Sequence, residues 1–305
     1  MYWIEQLMNG LFQGSIYALI VIGYTLIVGI VGLPSFAYGD VVMCGAFFSY
    51  LVFSGLGEYP LLALIVCLAG SAVLGVLTQI TCYEPFYDSP WHISLMCTIG
   101  LGTLIRNIAQ ILTQSSTLPM PKVFGTGYIE IGTLRVTHTQ LVILGIVIIL
   151  CIVFTLFLKK TKLGIEFKAV SQDRKAAALI GINVTSVSRI GNAIGSMMGG
   201  MAGMLYAVYY STFRATMGGA ISMKAFSAAA LGGMTDITIS AICGVIIAVL
   251  ENIGIALTST GYRDIFAFIF LFVVLSFKPS GIGGGQKNAI KAEKKDRKKK
   301  EETDS

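Results

Sequence analysis

Four ionisable side chains stand within or beside long apolar stretches of the sequence: Asp40, Arg106, Lys224 and Glu251. Charges at membrane depth are costly, so they tend to face a cavity, a partner group or a water-filled path. For Asp40, beside a Gly/Pro-rich interruption, and Glu251, inside an apolar run, a pathway role and a structural hydrogen bond between helices are both open. Lys224 and Arg106 lie near the ends of apolar runs, where snorkelling to the polar boundary is the simplest expectation.

No residue pattern pairs a catalytic nucleophile with a base, or gathers metal ligands. The sequence lacks GxSxG, HExxH and GxxxxGK[ST]. The stretch 281–287, GIGGGQK, resembles a phosphate loop but lacks the Gly-Lys-Ser/Thr, so we interpret it as a flexible linker. We therefore expect neither an enzyme nor a cofactor in this chain, and any ATP must be hydrolysed by another chain.

The composition is that of a polytopic membrane protein. The 305 residues are 55% hydrophobic and 12% charged, against about 25% charged in a soluble average. The net charge is +6, and most of the 22 Lys and Arg lie in two segments, seven in 159–189 and eight in 287–300. This pattern indicates cytoplasmic segments beside anionic membrane lipid, and no nucleic-acid partner is expected.

Nine apolar runs set the predicted fold. A transmembrane helix needs about 17–25 residues, and the runs 41–53, 221–233 and 265–277 are shorter than that. We predict an all-α polytopic protein with eight or nine transmembrane helices, ten as the upper bound, in a permease domain over residues 1–282. The tail 283–305 is predicted to be disordered, basic and cytoplasmic. The runs are 7–33, 41–53, 61–81, 93–112, 141–158, 190–210, 221–233, 237–257 and 265–277.

The two basic segments also predict the topology. Both should face the cytoplasm, which requires an even number of crossings between them. Four runs satisfy this condition if the short run 221–233 lies at membrane depth. The N-terminus and the stretch 113–140 are then extracytoplasmic, and the alternating residues 128–136 predict a small hairpin there.

Interrupted spans point to a translocation site, because freed backbone groups at membrane depth are tolerated where they line a cavity. A long run, a Gly/Pro break and a short run fill residues 7–53. A short run, the break at Gly232-Gly233 and a long run fill residues 221–257. The reversed order predicts an inverted repeat, with coincidence in a Gly-rich chain as the alternative.

The loop 159–189 has apolar residues at helical spacing, interleaved with Lys and Arg, and Gly181 ends the pattern as a C-cap would. We predict one short amphipathic cytoplasmic helix, which either lies on the headgroups or docks on a partner. Beyond it, small residues at spacing four predict a tightly packed helix face, against a helix of this chain or of a second subunit. These are Gly191, Gly195, Gly199 and Gly203.

Several stretches, in order along nearly the whole chain, resemble the permeases of branched-chain amino acid ABC importers, in the H-type subunit of the Liv family. The resemblance implies import across the bacterial plasma (inner) membrane. It implies a second related permease, two cytoplasmic ATPase subunits and an extracytoplasmic substrate-binding protein as partners. Permeases for urea or short amides are similar, and a stand-alone secondary transporter is a further alternative. The matching stretches include 23–32, 36–40, 163–164, 173–183, 223–226, 231–233, Glu251 and 278–281.

The resemblance also assigns residues to roles. The pathway would include Phe36, Ala37, Tyr38, Gly39, Asp40, Lys224, Phe226, Gly232, Gly233 and Glu251. The ATPase-coupling segment would include Gly164, Asp173, Arg174, Ala177, Ala178 and Gly181. Tyr38 stands where the family usually has His, Arg106 where Gln is common, and residues 234–240 replace a Gly-rich turn, so the substrate stays open.

Overall fold

The computed structural model describes residues 2–281, apart from 58, 88, 122, 126, 132–133, 258–262 and 279–280. The predicted tail 283–305 lies outside the described residues. A π-helical turn, Gln79–Tyr83, and a 3-10 turn, Glu84–Phe86, follow α3 directly. The helices are α1 (Tyr2–Val31), α2 (Tyr38–Leu56), α3 (Pro60–Thr78), α4 (Trp91–Thr113), α5 (His138–Lys160), α6 (Lys162–Gln172), α7 (Arg174–Leu179), α8 (Val184–Tyr210), α9 (Met217–Leu231), α10 (Ile237–Leu257) and α11 (Arg263–Phe277).

Each of the nine predicted apolar runs is a helix, which confirms the all-α membrane architecture. Within the described ranges, six helices are long and apolar enough to cross a membrane: α1, α2, α3 with its extension, α4, α5 and α10. The short runs became α2, with 19 residues, and α9 and α11, with 15 each. Helix α1 is the most enclosed of the six, since 94% of its apolar window is buried.

The strands are short and lie between helices. The predicted hairpin over 128–136 is confirmed, because β2 (Tyr128–Ile131) pairs antiparallel with β3 (Leu134–Thr137). A second antiparallel pair joins β1 (Leu118–Pro119) to β4 (Thr212–Phe213). Both pairs close the same end of the bundle, beside the start of α5 and the end of α8.

The basic loop and the end of the described chain lie at the other end of the bundle. Ile237, at the start of α10, packs against the apolar cluster that includes Phe167 and Ala177 of the loop. Gly281 lies against the last turn of α9, where an added Cβ would be 2.6 Å from the Ala230 carbonyl oxygen. Four helices, α8 to α11, therefore separate two points at one end, as the predicted parity requires.

The basic loop forms two helices where the sequence predicted one. Helix α6 ends at Gln172 and α7 begins at Arg174, because Asp173 takes an extended conformation and its Oδ1 caps the amides of Lys175 and Ala176, at 2.8 and 3.0 Å. The prediction of a single helix was therefore wrong. Gly181 does end α7, with a φ of 89° that favours glycine.

The small-residue face of α8 packs against helices of this chain. A Cβ at Gly195 would meet Ile27 of α1, and one at Gly203 would collide with the Val42 carbonyl oxygen of α2. Gly199 lies under the ring of Tyr38. The question left open by the sequence is thereby answered for these positions: the partner helices are α1 and α2.

The two interrupted segments have the same layout. Helix α1 is followed by the break 32–37 and the short α2, and α8 is followed by the break 211–216 and the short α9. Helices α1 and α8 run antiparallel, since Gly195 contacts Gly23 and Ile27 while Gly191 contacts Ile30. The counterpart of the first break is therefore 211–216 rather than Gly232-Gly233, and the layout is that of an inverted-topology repeat.

We predict that Gly203→Val destabilises the protein by about 1–3 kcal/mol, because the new side chain has to displace backbone atoms of α2. Thermal unfolding in detergent measures the effect. The matched control is Gly100→Val on α4, where a Cβ meets nothing within 4 Å. Equal melting temperatures for the two variants would contradict the packing described here.

Candidate translocation site

The N-termini of α2 and α9 meet inside the bundle. The Tyr38 hydroxyl donates to the Ile20 carbonyl oxygen at 2.9 Å, so the break 32–37 folds back to the middle of α1. Gly39 lies so close to Gly218 that a Cβ would collide with the Gly218 carbonyl oxygen. Two helices thus begin at one interior point, where their first amides lack intrahelical partners.

Ser222 of α9 satisfies the backbone of this break. Its hydroxyl accepts a hydrogen bond from the Gly39 amide at 2.8 Å and donates one to the Phe36 carbonyl oxygen, also at 2.8 Å. The Phe36 and Phe226 rings lie beside this bridge, with centroids 5.8 Å apart. One side chain of α9 therefore fixes the start of α2.

Asp40 and Arg106 form a bidentate ion pair at the same place. The Arg106 Nε donates to Oδ1 and Nη2 donates to Oδ2 of Asp40, each at 2.9 Å. The Asp40 side chain is fully buried, and 31% of the Arg106 side chain is exposed. The simple snorkelling expectation for Arg106 was wrong, because the buried carboxylate needs a counter-charge. Gly102 and Gly218 leave the space in which this pair fits.

Lys224 and Glu251 form a second ion pair, between α9 and α10. The Lys224 Nζ is 2.9 Å from Glu251 Oε1, and the side chains are 10% and 0% exposed. The snorkelling expectation for Lys224 was wrong, since its ammonium points into the bundle. Tyr17 of α1 joins the pair: its hydroxyl accepts from Lys224 and donates to Glu251 Oε2, both at 3.1 Å.

Two amides complete this network. The Gln13 Nε2 donates to Glu251 Oε2 at 3.2 Å, and the Asn252 Nδ2 donates to the Gln13 Oε1 at 2.9 Å. A cavity of about 10 Å³, lined by Tyr17, Lys224 and apolar side chains, adjoins the network. That volume holds about one water molecule, so no larger molecule fits there in this conformation.

The remaining predicted pathway residues are dispersed. Ala37 and Tyr38 are buried, and the Tyr38 ring fills the glycine face of α8. Gly232 and Gly233 lie at the opposite end of α9, where Gly233 and Met234 have positive φ in the turn to α10. The structure brings Phe36, Gly39, Asp40 and Phe226 together. It puts Lys224 on a neighbouring face of α9, paired with Glu251 of α10.

The predicted coupling residues lie at the loop end and face in two directions. The Arg174 Nε donates to the Ile30 carbonyl oxygen at 3.2 Å, and its guanidinium lies 4.6 Å from the centroid of the Tyr87 ring. Gly164 is buried against Leu158, and Ala177 is also buried. Ala178 is exposed, as are Leu179 and Ile180, at 89% and 74%. The exposed surface of α7 is therefore small, with Lys175 at its start and the apolar Ala178 and Leu179 at its end.

Sequence reasoning missed four residues of the site: Gln13 and Tyr17 beside Glu251, and Ser222 and Gly218 at the break before α2. Gln13 and Tyr17 are polar side chains in the first apolar run, four positions apart, and that helical spacing was a usable signal. Ser222 and Gly218 gave no such signal. Their roles depend on the approach of α9 to α2, which local sequence does not encode.

A family model for the permease component of branched-chain amino acid transport systems matches residues 6–275. The chain is 31% identical to the high-affinity branched-chain amino acid transport system permease protein LivH of Escherichia coli (strain K12), over 93% of this chain and 96% of that protein. It is 30% identical to the corresponding protein BraD of Pseudomonas aeruginosa, with the same coverage. The match to the solved structure of PsaBC from Streptococcus pneumoniae in complex with Fab covers 94% of this chain and 94% of that chain, at 13% identity. Its TM-score is 0.42, so the two structures are only weakly similar.

We predict that Asp40→Asn partly rescues Arg106→Gln. The single variant Arg106→Gln leaves a buried, uncompensated carboxylate, which costs about 3–5 kcal/mol. Removing the Asp40 charge as well relieves that cost, so the double variant melts at the higher temperature in detergent.

Arg189→Gln is the control, because Arg189 pairs with Glu84 and not with Asp40. Asp40→Asn gives no rescue in that background. A double Asp40/Arg106 variant that melts below Arg106→Gln would refute the coupling.

Proposed function

The chain belongs to the family of branched-chain amino acid transport system permease components, and we propose that it is the permease subunit of an ABC importer in the bacterial plasma membrane. Its cargo in this proposal is a branched-chain amino acid. The observation that carries the proposal is the pair of short helices that follow chain breaks, α2 and α9. Their N-termini meet at Gly39 and Gly218 inside the bundle. Translocation sites are commonly built from such broken helices.

Helix α9 is the proposed moving part. It contacts the break through Ser222 and Phe226, and it contacts α1 and α10 through Lys224. A rocking movement of α9 would open the interior first to one side and then to the other. In this proposal a second permease subunit completes the pathway, and an extracytoplasmic binding protein delivers the substrate.

The energy would come from two ATPase subunits that dock at the loop end, with the basic loop and the C-terminus in the cytoplasm. Leu179 and Ile180 support this assignment, because two large apolar side chains exposed at the tip of a short helix suit insertion into a groove of a partner. Arg174 connects the start of α7 to the Ile30 carbonyl oxygen of α1, so a force on the tip would be transmitted to α1 through this contact.

Uptake by cells tests the proposed function. We expect deletion of this chain from its native host to abolish ATP-dependent, vanadate-sensitive uptake of leucine, and the wild-type chain to restore it. Urea and acetamide are the comparison substrates. If the wild-type chain restored uptake of urea or acetamide but not of leucine, the substrate would be an amide rather than a branched-chain amino acid. Sensitivity to a proton uncoupler without vanadate sensitivity would refute the ABC mechanism.

We predict that Leu179→Ser combined with Ile180→Ser lowers leucine uptake about tenfold. The proposed contact with the ATPase subunit would lose two apolar side chains that the partner buries. The amount of protein in the membrane stays normal, since both residues are exposed. Ile165→Ser is the control: Ile165 is 64% exposed in the same loop, but it lies on α6. Equal losses in the two variants would contradict the assignment of coupling to the tip of α7.

A further inference from the structure

The ion pair of Lys224 and Glu251 has the charge pattern of a zwitterion. We propose that these two side chains form the binding site for the amino acid head group. The substrate carboxylate binds the Lys224 ammonium, the substrate ammonium binds the Glu251 carboxylate, and the two side chains release one another. This inference rests on the proposed function and names the part of the cargo that the permease itself recognises.

When the substrate replaces the Lys224–Glu251 ion pair, each charged group still has a partner of opposite charge. A buried ion pair is weak evidence for stability, because desolvation of both groups offsets much of their attraction. Its position in the interior of a membrane protein points to a function. A zwitterion brings one carboxylate and one ammonium, so every charge has a partner before and after the exchange. A substrate with a single charge would leave one group unpaired, which is costly in a buried site.

The two halves of the pair differ in mobility. Glu251 is fully buried on α10, and it keeps hydrogen bonds from Gln13 and Tyr17 when Lys224 leaves. Asn252 in turn holds the Gln13 amide. Lys224 lies on the short helix α9 and carries its charge on a flexible stem. Glu251 is therefore the fixed point of the site, and Lys224 moves with α9.

The surroundings suit a branched aliphatic side chain. The cavity beside Lys224 is walled by Ile20, Val21, Ile221, Ala225 and Ile247. Its volume of about 10 Å³ is that of a closed state, and displacement of α9 from α1 would enlarge it. Urea and short amides carry neither the charges nor the aliphatic group, so the site selects against them.

Two double variants test the proposal in the host strain lacking the native chain. They are the charge-swapped Lys224→Glu/Glu251→Lys and the neutral Lys224→Met/Glu251→Gln. We expect both to reduce the maximal rate of leucine uptake about tenfold or more, the loss that follows from removing a contact to a charged group. The apparent KM stays unchanged, because the binding protein sets it. Rates are normalised to the amount of protein in the membrane.

If the pair only held the fold together, the charge-swapped variant would keep the wild-type rate of leucine uptake, because the swapped ion pair still connects α9 to α10. A swapped or neutral variant that transports leucine at the wild-type rate overturns the inference and leaves the proposed function standing. Failure of the wild-type chain to restore leucine uptake overturns both.

A measurement on the unmodified chain keeps the test independent of folding defects in the variants. Thermal unfolding of the purified chain in lipid nanodiscs is compared with leucine, 4-methylpentanoate and 3-methylbutylamine, which share the aliphatic group. We expect leucine to raise the melting temperature more than either singly charged analogue. Equal shifts, or no shift with leucine, contradict recognition of the zwitterion by this pair.

Discussion

The structure depends on hydrogen-bond partners for the backbone amides and carbonyls at one interior point, where α2 and α9 both begin. In an apolar environment an amide or carbonyl without a partner costs several kcal/mol, and both α2 and α9 start there. Ser222 bridges the Phe36 carbonyl and the Gly39 amide, which makes α9 part of the backbone hydrogen bonding of α2. Since Gly39 and Gly218 touch, the bridge forms only while neither carries a side chain.

This constraint gives α9 two different faces. Ser222 and Phe226 contact the break before α2, and Lys224 contacts α1 and α10. The far end of α9 lies beside Gly281 and the start of α10. Ile237, at that start, packs in the same cluster as Ala177 of the coupling loop. The apolar cluster beneath α7 therefore extends to the start of α10, next to the end of α9.

The sequence predicts the parts of this arrangement that have a local cause. Each of the nine apolar runs specified a helix of the described chain, and the spacing of Gly191, Gly195, Gly199 and Gly203 specified a close packing face. The layout of the repeat was misjudged, because Gly232-Gly233 is a stronger local break signal than residues 211–216. Asp40 pairs with Arg106, which lies 66 positions further along the chain. The periodicity of apolar residues predicts local helices and gives no information on contacts between residues so far apart. The break of the coupling helix at Asp173 did have a local signal, the capping preference of Asp.

The two ion pairs differ in the chemistry of their cations, and that difference assigns them different roles. The Arg106 guanidinium binds both oxygens of Asp40 in a planar, rigid fork, which resists separation and holds α4 to α2. The Lys224 ammonium meets Glu251 as a point charge on a flexible stem, and Tyr17 offers it a second acceptor. In the proposed mechanism the Asp40–Arg106 pair, which lies against Gly218 at the start of α9, stays closed, and the Lys224–Glu251 contact opens. Such a movement of α9 would pivot near Gly218 and be largest toward Gly233, the end that adjoins the start of α10.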